Sequence, residues 1–599
     1  MAEMNVAELL ARCLENEGVA FIFGLPGEEI IPLVDALNQT SIRFILTRSE
    51  EAAAFMADMY GRVTGKAGVC LATLGPGAIN LLLGVADAHT DSSPLVAISA
   101  QVGLGRIYKE THQVVDLVSM FRPVTKWSDT LFTPDATPEM IRHAFNIAQA
   151  ERPGAVYLAI PQDVAAMPAS SDLHPLRSHP RHAEAPSPGQ IAQAAKVLES
   201  AKTPIILAGH GAARHQAQAA LVRFAEKLRI PVATTFHGKG VFPDDHPLAL
   251  GTMGFMVHDY VNFGFDQADV IVCVGYELQE FAPTRINPRG DKKIIHLHRF
   301  GAVVDAYYTV TVDVTGDIPK ALTALAAKVS PKPGLMTSEQ KIRCLLREEL
   351  ERGRHDASYP VKPQRLVTDI RAALGREDFV LVDSGAVKMW MARLYPTYRP
   401  NTCLVSNGLS TMGFAVSGAL GVKLANPRHK VLAVTGDGGF LMNSQEIETA
   451  LREKIPIVIL VWVDGSYGLI KWKMEMQLKR SSHVDFGNPD FVKFAESFGA
   501  RGYFIRAADE LLPTLKQALA EDTVSVIACP VDYSENTKLT DKLGHLTVPT
   551  DLRCEDNEKK DLVKVQGSRF QEGVECALRT MAGGTPAPPI FSLKLLLSS

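Results

Sequence analysis

Two apolar runs that each end on an aspartate constrain this chain most. Val431-Leu432-Ala433-Val434 leads into Gly436-Asp437-Gly438-Gly439, and Ile457-Val458-Ile459-Leu460-Val461-Trp462-Val463 leads into Asp464-Gly465-Ser466. Short, continuous apolar runs of this kind read as strands buried on both faces of a parallel sheet. Between them, Asn443-Ser444-Gln445-Glu446 reads as a capped helix start, with Ile447, Ala450 and Leu451 following at helical spacing. A strand-helix-strand crossover returns the chain parallel and close by. Both carboxylates then leave the carboxyl ends of strands, where open α/β sheets bind ligands. An Asp beside Gly is also ordinary turn chemistry. The second acid at the end of the next strand raises the pair above that reading, because two hard oxygen ligands beside a glycine-opened backbone suit Mg2+ holding a diphosphate.

The same alternation of strands and helices runs through three blocks. The first has strands at Phe21-Ile22-Phe23, Phe44-Ile45-Leu46, Val69-Cys70-Leu71-Ala72, Leu95-Val96-Ala97-Ile98 and Val156-Tyr157-Leu158-Ala159-Ile160. A stretch rich in Pro, Ser and His, from Pro168 to about Gly189, reads as a linker. The second block has strands near Pro204-Ile205-Ile206-Leu207, Val270-Ile271-Val272-Cys273-Val274 and Lys293-Ile294-Ile295-His296-Leu297, and Ser330-Pro331-Lys332-Pro333-Gly334 breaks the chain after it. The expected fold class is therefore α/β, with three doubly wound parallel-sheet domains at 1–167, 187–330 and 360–535. Residues 536–599 form a variable tail. At 599 residues the chain exceeds one ordinary core.

Composition narrows the function classes. A formal net charge of −4 gives no electrostatic case for nucleic acid or an anionic membrane. No apolar stretch approaches the roughly 20 residues of a membrane span. The start has no basic segment followed by an apolar one, and the 8 cysteines are scattered singly, so reduced thiols in a cytoplasmic protein are expected.

The aspartate pair resembles the diphosphate motif of thiamine-diphosphate enzymes, which opens Gly-Asp-Gly and usually closes in Asn-Asn. Here Val463-Asp464 replaces the Asn pair. The resemblance makes Asp437 and Asp464 metal ligands, the extra charge of Asp464 tightening Mg2+. It gives Ser466 a backbone-carbonyl role in which side-chain type matters little. The stretch Thr47-Arg48-Ser49-Glu50-Glu51-Ala52-Ala53 is similar to the Arg-His-Glu-Gln-Ala-Ala segment of acetolactate synthases, with Ser49 and Glu51 departing from it. It aligns Glu50 with the cofactor-activating glutamate, although a carboxylate in a first helical turn is favourable in any case. Phe23-Gly24-Leu25-Pro26-Gly27 resembles the loop covering the cofactor, through Pro26 and Gly27. Ser406-Asn407-Gly408-Leu409-Ser410-Thr411-Met412-Gly413 resembles the segment whose Met props the cofactor in a bent shape, and Gly385-Ala386-Val387 a turn that binds diphosphate through its backbone.

What the resemblance implies is a three-domain enzyme that holds thiamine diphosphate and Mg2+ and condenses two pyruvates to 2-acetolactate with loss of CO2. Glu50 is the catalytic carboxyl, and Gln101, His112, Gln113 and Lys126 are candidates for orienting substrate. Thr111-His112-Gln113 carries one His where decarboxylases of the superfamily place two. Gly275-Tyr276-Glu277-Leu278-Gln279-Glu280-Phe281 lacks both arginines of the Gly-x-Arg-Phe-Asp-Asp-Arg stretch of flavin-containing members. The likeness is thus to the catabolic, flavin-independent branch, and FAD is not expected. Lys473 stands where biosynthetic members place a Trp that favours 2-ketobutyrate. The alternatives are another thiamine-diphosphate 2-keto acid decarboxylase or carboligase, and a flavin-dependent biosynthetic catalytic subunit. The active site is expected to be shared between subunits of a homodimer or homotetramer. Gly209-His210-Gly211 reads as a tight strand-to-helix turn, since a lone Gly-x-Gly is a weak dinucleotide signal.

Overall fold

A computed structural model describes residues 4–178, 183–255 and 258–536; the tail expected from 536 therefore lies, beyond Asn536, outside the described residues. Apolar continuity has made parallel sheets throughout. The first domain orders its strands β2-β1-β3-β4-β6-β5: β1 Phe21–Gly24, β2 Arg43–Leu46, β3 Gly68–Ala72, β4 Leu95–Gln101, β5 Ser128–Thr130 and β6 Ala155–Pro161. The second orders β12-β11-β10-β7-β8-β9, with β7 Pro204–Ala208, β8 Val232–Thr234, β9 Ala249–Thr252, β10 Val270–Val274, β11 Lys293–His298 and β12 Val310–Thr315. The third repeats the order of the first as β14-β13-β15-β16-β18-β17: β13 Phe379–Val382, β14 Cys403–Val405, β15 Val431–Gly436, β16 Val458–Val463, β17 Arg501–Phe504 and β18 Ser525–Pro530.

Period-two alternation sends neighbouring strand residues to opposite faces, and here it sorts the cores. Val69, Leu71, Val96 and Ile98 pack into a core on the outer face of the first sheet. Cys70, Ala72, Leu95 and Ala97 join Leu381, Val431, Ala433 and Ile459 of the third domain in a shared core. Val380, Val382, Leu432 and Val434 face the other way, into a core shared with Ile205, Leu207, Ile271 and Cys273 of the middle domain. Ile206, Val270, Val272 and Ile295 close the stack. Four apolar layers thus alternate with three sheets. In the layer between the first and third domains, helix Glu50–Thr64 crosses helix Phe414–Ala425 so closely that a Cβ on Gly421 would lie 2.2 Å from the Met56 carbonyl oxygen. Cys13, Cys70, Cys273, Cys403 and Cys529 are free and buried.

Two local readings change, and one holds. The capped start at Asn443 is not made: Asn443 ends helix Asp437–Asn443, and the next helix, Glu446–Arg452, begins after Gln445 with no side-chain cap. The Asn443 side chain is engaged elsewhere: Oδ1, the atom a cap would use, accepts from Gln445 Nε2, and Nδ2 donates to Glu51 and to the Gly413 carbonyl. The linker ends about where expected, at Ser187, which caps a helix that opens at Pro188. A helix at Thr337–Arg354 also follows the Ser330–Gly334 break, where no element was expected.

In the middle domain the strand order reverses between β7 and β10, which makes the crevice there the expected place for a nucleotide. Protein side chains fill it. A Cβ on Gly209 would lie 2.5 Å from a Glu280 oxygen, and one on Gly211 would lie 2.4 Å from His298 Nε2. The two glycines therefore admit Glu280, His298 and the Gly275 turn, as a tight strand-to-helix turn requires. Glu277, next in the same loop, takes Arg214 at 2.5 Å, Arg152 at 3.0 Å and Ser92 Oγ at 3.0 Å, the last two from the first domain. Against the upward push of burial, Arg214 and His298 hold the Glu277 carboxyl well below the carboxylate range. Glu280 accepts from the His210 and Glu277 backbone N–H groups and from Thr235, and its carbonyl takes Asn407 from the third domain.

Burial pushes the Glu280 carboxyl up to about 7, opposed by His237 and the Thr235 bond. Its folded value lies above its unfolded one, so its contribution to stability is complete below about 4.5 and is lost as pH rises through about 7. Glu280→Gln keeps an acceptor for the two N–H groups and a donor for Thr235 while removing that titration. Calorimetric scans from about pH 5 to about pH 8 should show the variant's Tm gaining on the native Tm. A gap that stays flat or shrinks with pH would contradict the assignment.

Candidate active site

Glu50 opens its helix at the end of the chain leaving β2, and it is buried. One carboxylate oxygen accepts from Asn80 Nδ2 at 3.1 Å, and the other lies 3.2 Å from the place a Cβ on Gly77 would occupy. Gly77 and Asn80 belong to the first turns of helix Pro76–Thr90, which follows β3. The loop after β1 comes to the same place: a Cβ on Gly27 would stand 2.4 Å from Thr73 Cβ, while Pro26 is exposed. Loops leaving β1 and β3 flank the reversal in strand order of the first sheet, so Glu50 stands at a switch-point crevice. Gln113, with φ +60°, lays its backbone against Gly75, and its side chain and that of His112 are exposed. Gln101 is buried, accepting from Val102 N–H and donating to the Val115 carbonyl at 3.3 Å.

Lys126 does not belong with these residues. Its ammonium donates to the Ile147, Ala150 and Arg152 carbonyls at 2.6, 2.8 and 2.7 Å. An ammonium has three N–H donors, and the end of helix Thr137–Gln149 takes them all. The side chain closes that helix and has no donor left for a substrate carboxylate.

The third domain builds the corresponding crevice between β13 and β15. Gly385, with φ +144°, turns the chain from β13 into helix Ala386–Leu394, which carries Ala386 and Val387 in its first turn. Gly436 ends β15, and Asp437 begins the next helix. Asp437 is held by neighbours: Oδ2 accepts from Asp464 N at 3.1 Å, Gly465 N at 2.7 Å and Asn488 Nδ2 at 2.8 Å, whereas Oδ1 accepts only from Gly438 N at 2.9 Å. Gly439 lets this turn lie on Asp383, 2.9 Å from its would-be Cβ, and Gly438 lies beneath Tyr467 and Phe486. Asp464 stands beside it, its Oδ2 accepting from Ser466 Oγ at 2.8 Å, so the Ser466 side chain does matter, contrary to expectation. Burial raises the Asp464 carboxyl to about 6, with the Ser466 bond opposing and Asp437 adding to the rise. Asp437 Oδ1, with one donor, therefore keeps free acceptor capacity beside the Asp464 carboxyl, as a cation site requires.

Segment 405–413, which carries Met412, is clamped by buried charges from two domains. From the first, Arg62 donates to the Val405 carbonyl at 2.7 Å and to Asp91 at 2.8 Å. Asp91 accepts from Asn407 N at 3.1 Å and Gly408 N at 2.6 Å, and Asp87 accepts from Ser406 Oγ at 2.5 Å and Thr411 Oγ1 at 2.7 Å. From the third, Lys388 donates to the Ser406 carbonyl and Ser410 Oγ, and Asp383 accepts from Gly413 N. Burial, then Asp91 and Asp58, pushes Asp87 up to about 8, while His237 and Arg62 hold Asp91 far below its ordinary value despite its burial. Sequence reading had found none of Asp87, Asp91, Asp383, Lys388 or Asn488. The only local hint among them is Asn488-Pro489, a turn signal.

Comparison with known proteins agrees with this layout. Residues 4–120 match the thiamine pyrophosphate enzyme N-terminal TPP binding domain, 191–325 the central domain and 383–529 the C-terminal TPP binding domain. The chain belongs to the thiamine pyrophosphate enzyme family, among the acetolactate synthases. It is 36% identical to an acetolactate synthase of Bacillus subtilis, over 90% of this chain and 95% of that one. It is 36% identical to a catabolic acetolactate synthase of Raoultella terrigena, over 90% and 97%. A probable acetolactate synthase large subunit of Methanocaldococcus jannaschii is also 36% identical, over 93% and 97%.

Removing Asp91 takes from Arg62 its nearer carboxylate, leaving Asp58 at 3.7 Å, and frees two backbone N–H groups of the Met412 segment. Breaking a buried pair in this way costs about 3–5 kcal/mol. Urea unfolding of Asp91→Ala should show a loss of that size, and a loss under about 1 kcal/mol would mean that the clamp carries little.

Proposed function

We propose that this protein is an acetolactate synthase that joins two pyruvates into 2-acetolactate with release of CO2, using thiamine diphosphate and Mg2+. The observation that carries the reading is the repeated strand order of the first and third domains, each with its glycine loops at the switch point, one beside Glu50 and the other beside Asp437 and Asp464. The 36% identity over most of the chain to named acetolactate synthases supports the choice of reaction.

Asp437 Oδ1, Asp464 Oδ1 and the Ser466 carbonyl are the oxygens that would hold Mg2+, a hard cation that takes oxygen ligands. The backbone of Gly385-Ala386-Val387 and Gly436-Asp437-Gly438-Gly439 would hold the diphosphate, helped by the dipole of helix Ala386–Leu394. Met412, on its clamped segment, is the prop, with Pro26 and Gly27 as the cover. When bound, thiamine diphosphate supplies a carbon nucleophile and an electron sink for decarboxylation. Glu50 would hold a proton against a ring nitrogen of the pyrimidine, its free oxygen facing Gly77. Gln101, His112 and Gln113 remain the groups for orienting the 2-keto acid; Lys126 does not.

The filled middle crevice supports the flavin-independent branch, since Glu280, His298 and the Gly275 turn stand where a dinucleotide would run. Exposed apolar residues border both half-sites: Ile79 and Leu83 on the helix beside Glu50, Leu409 on the Met412 segment, and Leu441 and Met442 on the helix of Asp437. A homodimer or homotetramer covering these residues, with each site shared between subunits, is part of the proposal, as is cytoplasmic placement. Among the described residues no helix is long and apolar enough to cross a membrane.

Incubation with pyruvate, thiamine diphosphate and Mg2+ should yield acetolactate. Acetaldehyde as the main product would favour a decarboxylase instead. Glu50→Gln should lower turnover at least about 100-fold, the size of a lost general acid–base contribution, while cofactor still binds; near-native turnover would remove Glu50 from the catalytic role. The absorbance spectrum of the purified protein should lack a flavin band, and acetolactate formation should not rise on adding FAD. A bound flavin would reverse the branch assignment.

A further inference from the structure

We propose that Asn488 is a positioning residue of the cation and diphosphate site, one that selects which oxygen of Asp437 faces the metal. The inference rests on the cofactor reading above and goes beyond the Asp437, Asp464 and Ser466 set.

Asn488 lies far from Asp437 in sequence, on the loop that returns from helix Gly468–Leu478. Backbone bonds tie that loop to the metal turn: Tyr467 N donates to the Val484 carbonyl at 2.9 Å, and Phe486 N donates to the Gly465 carbonyl at 2.9 Å. The Phe486 ring packs against Tyr467 with centroids 5.0 Å apart, and lies 3.3 Å from where a Cβ on Gly438 would be. On the other side Asp490 caps the helix Phe491–Phe498, whose first ring packs on Phe440 at 5.4 Å. Asn488 is therefore fixed from both directions before any ligand arrives.

Its amide can point in only one sense. The group it meets is a carboxylate oxygen, which accepts and cannot donate, so Nδ2 must face Asp437 Oδ2. That bond is the third on Oδ2 and saturates it, leaving Oδ1 as the coordinating atom. It also leaves Asn488 Oδ1 buried with no hydrogen-bond partner. A buried unpaired acceptor is costly, and next to a ligand set it marks a place where the ligand brings the missing donor. Mg2+ keeps several of its waters when protein bound, and such a water is a donor of the right kind. Asn488 thus orients the Asp437 carboxylate with its Nδ2, and its Oδ1 is an acceptor that a water of the bound cation would satisfy.

The test uses the full chain, stripped of metal by chelation and titrated with Mg2+ at saturating thiamine diphosphate, with intrinsic tryptophan fluorescence as the readout. Loss of an outer partner of a metal ligand typically costs 10–100-fold in affinity. Asn488→Ala should therefore raise the Mg2+ dissociation constant at least about tenfold, while the Tm of the metal-free protein stays at the native value. A Mg2+ titration that superimposes on the native one overturns the proposal. So does a lowered metal-free Tm with unchanged Mg2+ affinity, the signature of a merely structural residue. If the alanine variant does not fold, Asn488→Ser takes its place, with a weaker shift in the same direction expected and a native titration again decisive against. Should the native protein take up no thiamine diphosphate with Mg2+, it is the cofactor reading that fails, and this failure is distinguishable from that of Asn488 alone.

Discussion

The ion pair between Arg62 and Asp91 is the contact on which the rest of the structure depends. Both side chains are almost wholly buried where the first and third domains meet the middle one. Neither could stay there alone, because an unpaired buried charge is far more costly than the pair itself is favourable. Together they do more than neutralise each other. Arg62 also takes the Val405 carbonyl, and Asp91 takes two N–H groups of the following residues and approaches His237 of the middle domain at 3.4 Å. A chain leaving the end of β14 would otherwise be a loop with unsatisfied backbone. Here its polar groups are paired one by one, so Met412 is presented from a fixed support.

Much of the fold was legible because both faces of each sheet are covered. Val270–Val274 and Val431–Val434 read as strands without ambiguity, since no residue in them meets water. The edge strands β5, β14 and β17 were not read. β5 and β14 have three residues each, and β17, Arg501–Phe504, is exposed or half-buried along its length. The site divides in the same way. Asp437, Asp464 and Glu50 were found because their local sequence is constrained by turn and cofactor together. Asn488, Asp87 and Asp91 act through contacts with segments distant in the chain, and apart from the Asn488-Pro489 turn signal nothing in their own neighbourhoods marks them. Lys126 and Asn443 failed for a related reason. Both carry polar groups that sequence reading assigned to the obvious task, a substrate or a helix cap, while tertiary neighbours offered better partners.

The middle domain shows how protein side chains can occupy the switch-point crevice of a doubly wound sheet. Its switch-point crevice keeps the glycine turn, but Gly209 and Gly211 now accommodate Glu280 and His298. The charge brought in is balanced locally: Glu277 meets Arg214 and Arg152, and Glu280 sits in a ring of N–H and O–H donors. Because Arg152 and Ser92 come from the first domain and Asn407 from the third, the plug also joins all three domains. The crevice thus serves as a structural junction.

The two aspartates of the third domain illustrate the division between preorganisation and adjustment. Asp437 is pinned by three donors on one oxygen, two of them backbone N–H groups of the strand end that carries Asp464. Its geometry is thus set by the same turn that places its partner, and a cation meets it with little reorganisation to do. Asp464 is held by Ser466, two residues away on the same turn, and burial lifts its carboxyl to about 6. In the proposed site a cation would meet one carboxylate pinned by three donors on one oxygen and another held through a single neighbouring residue. Two adjacent carboxylates, both rigid and both ionised, would repel in the empty site. The raised Asp464 carboxyl eases that repulsion, and the proposed Mg2+ would offset what remains by binding both acids.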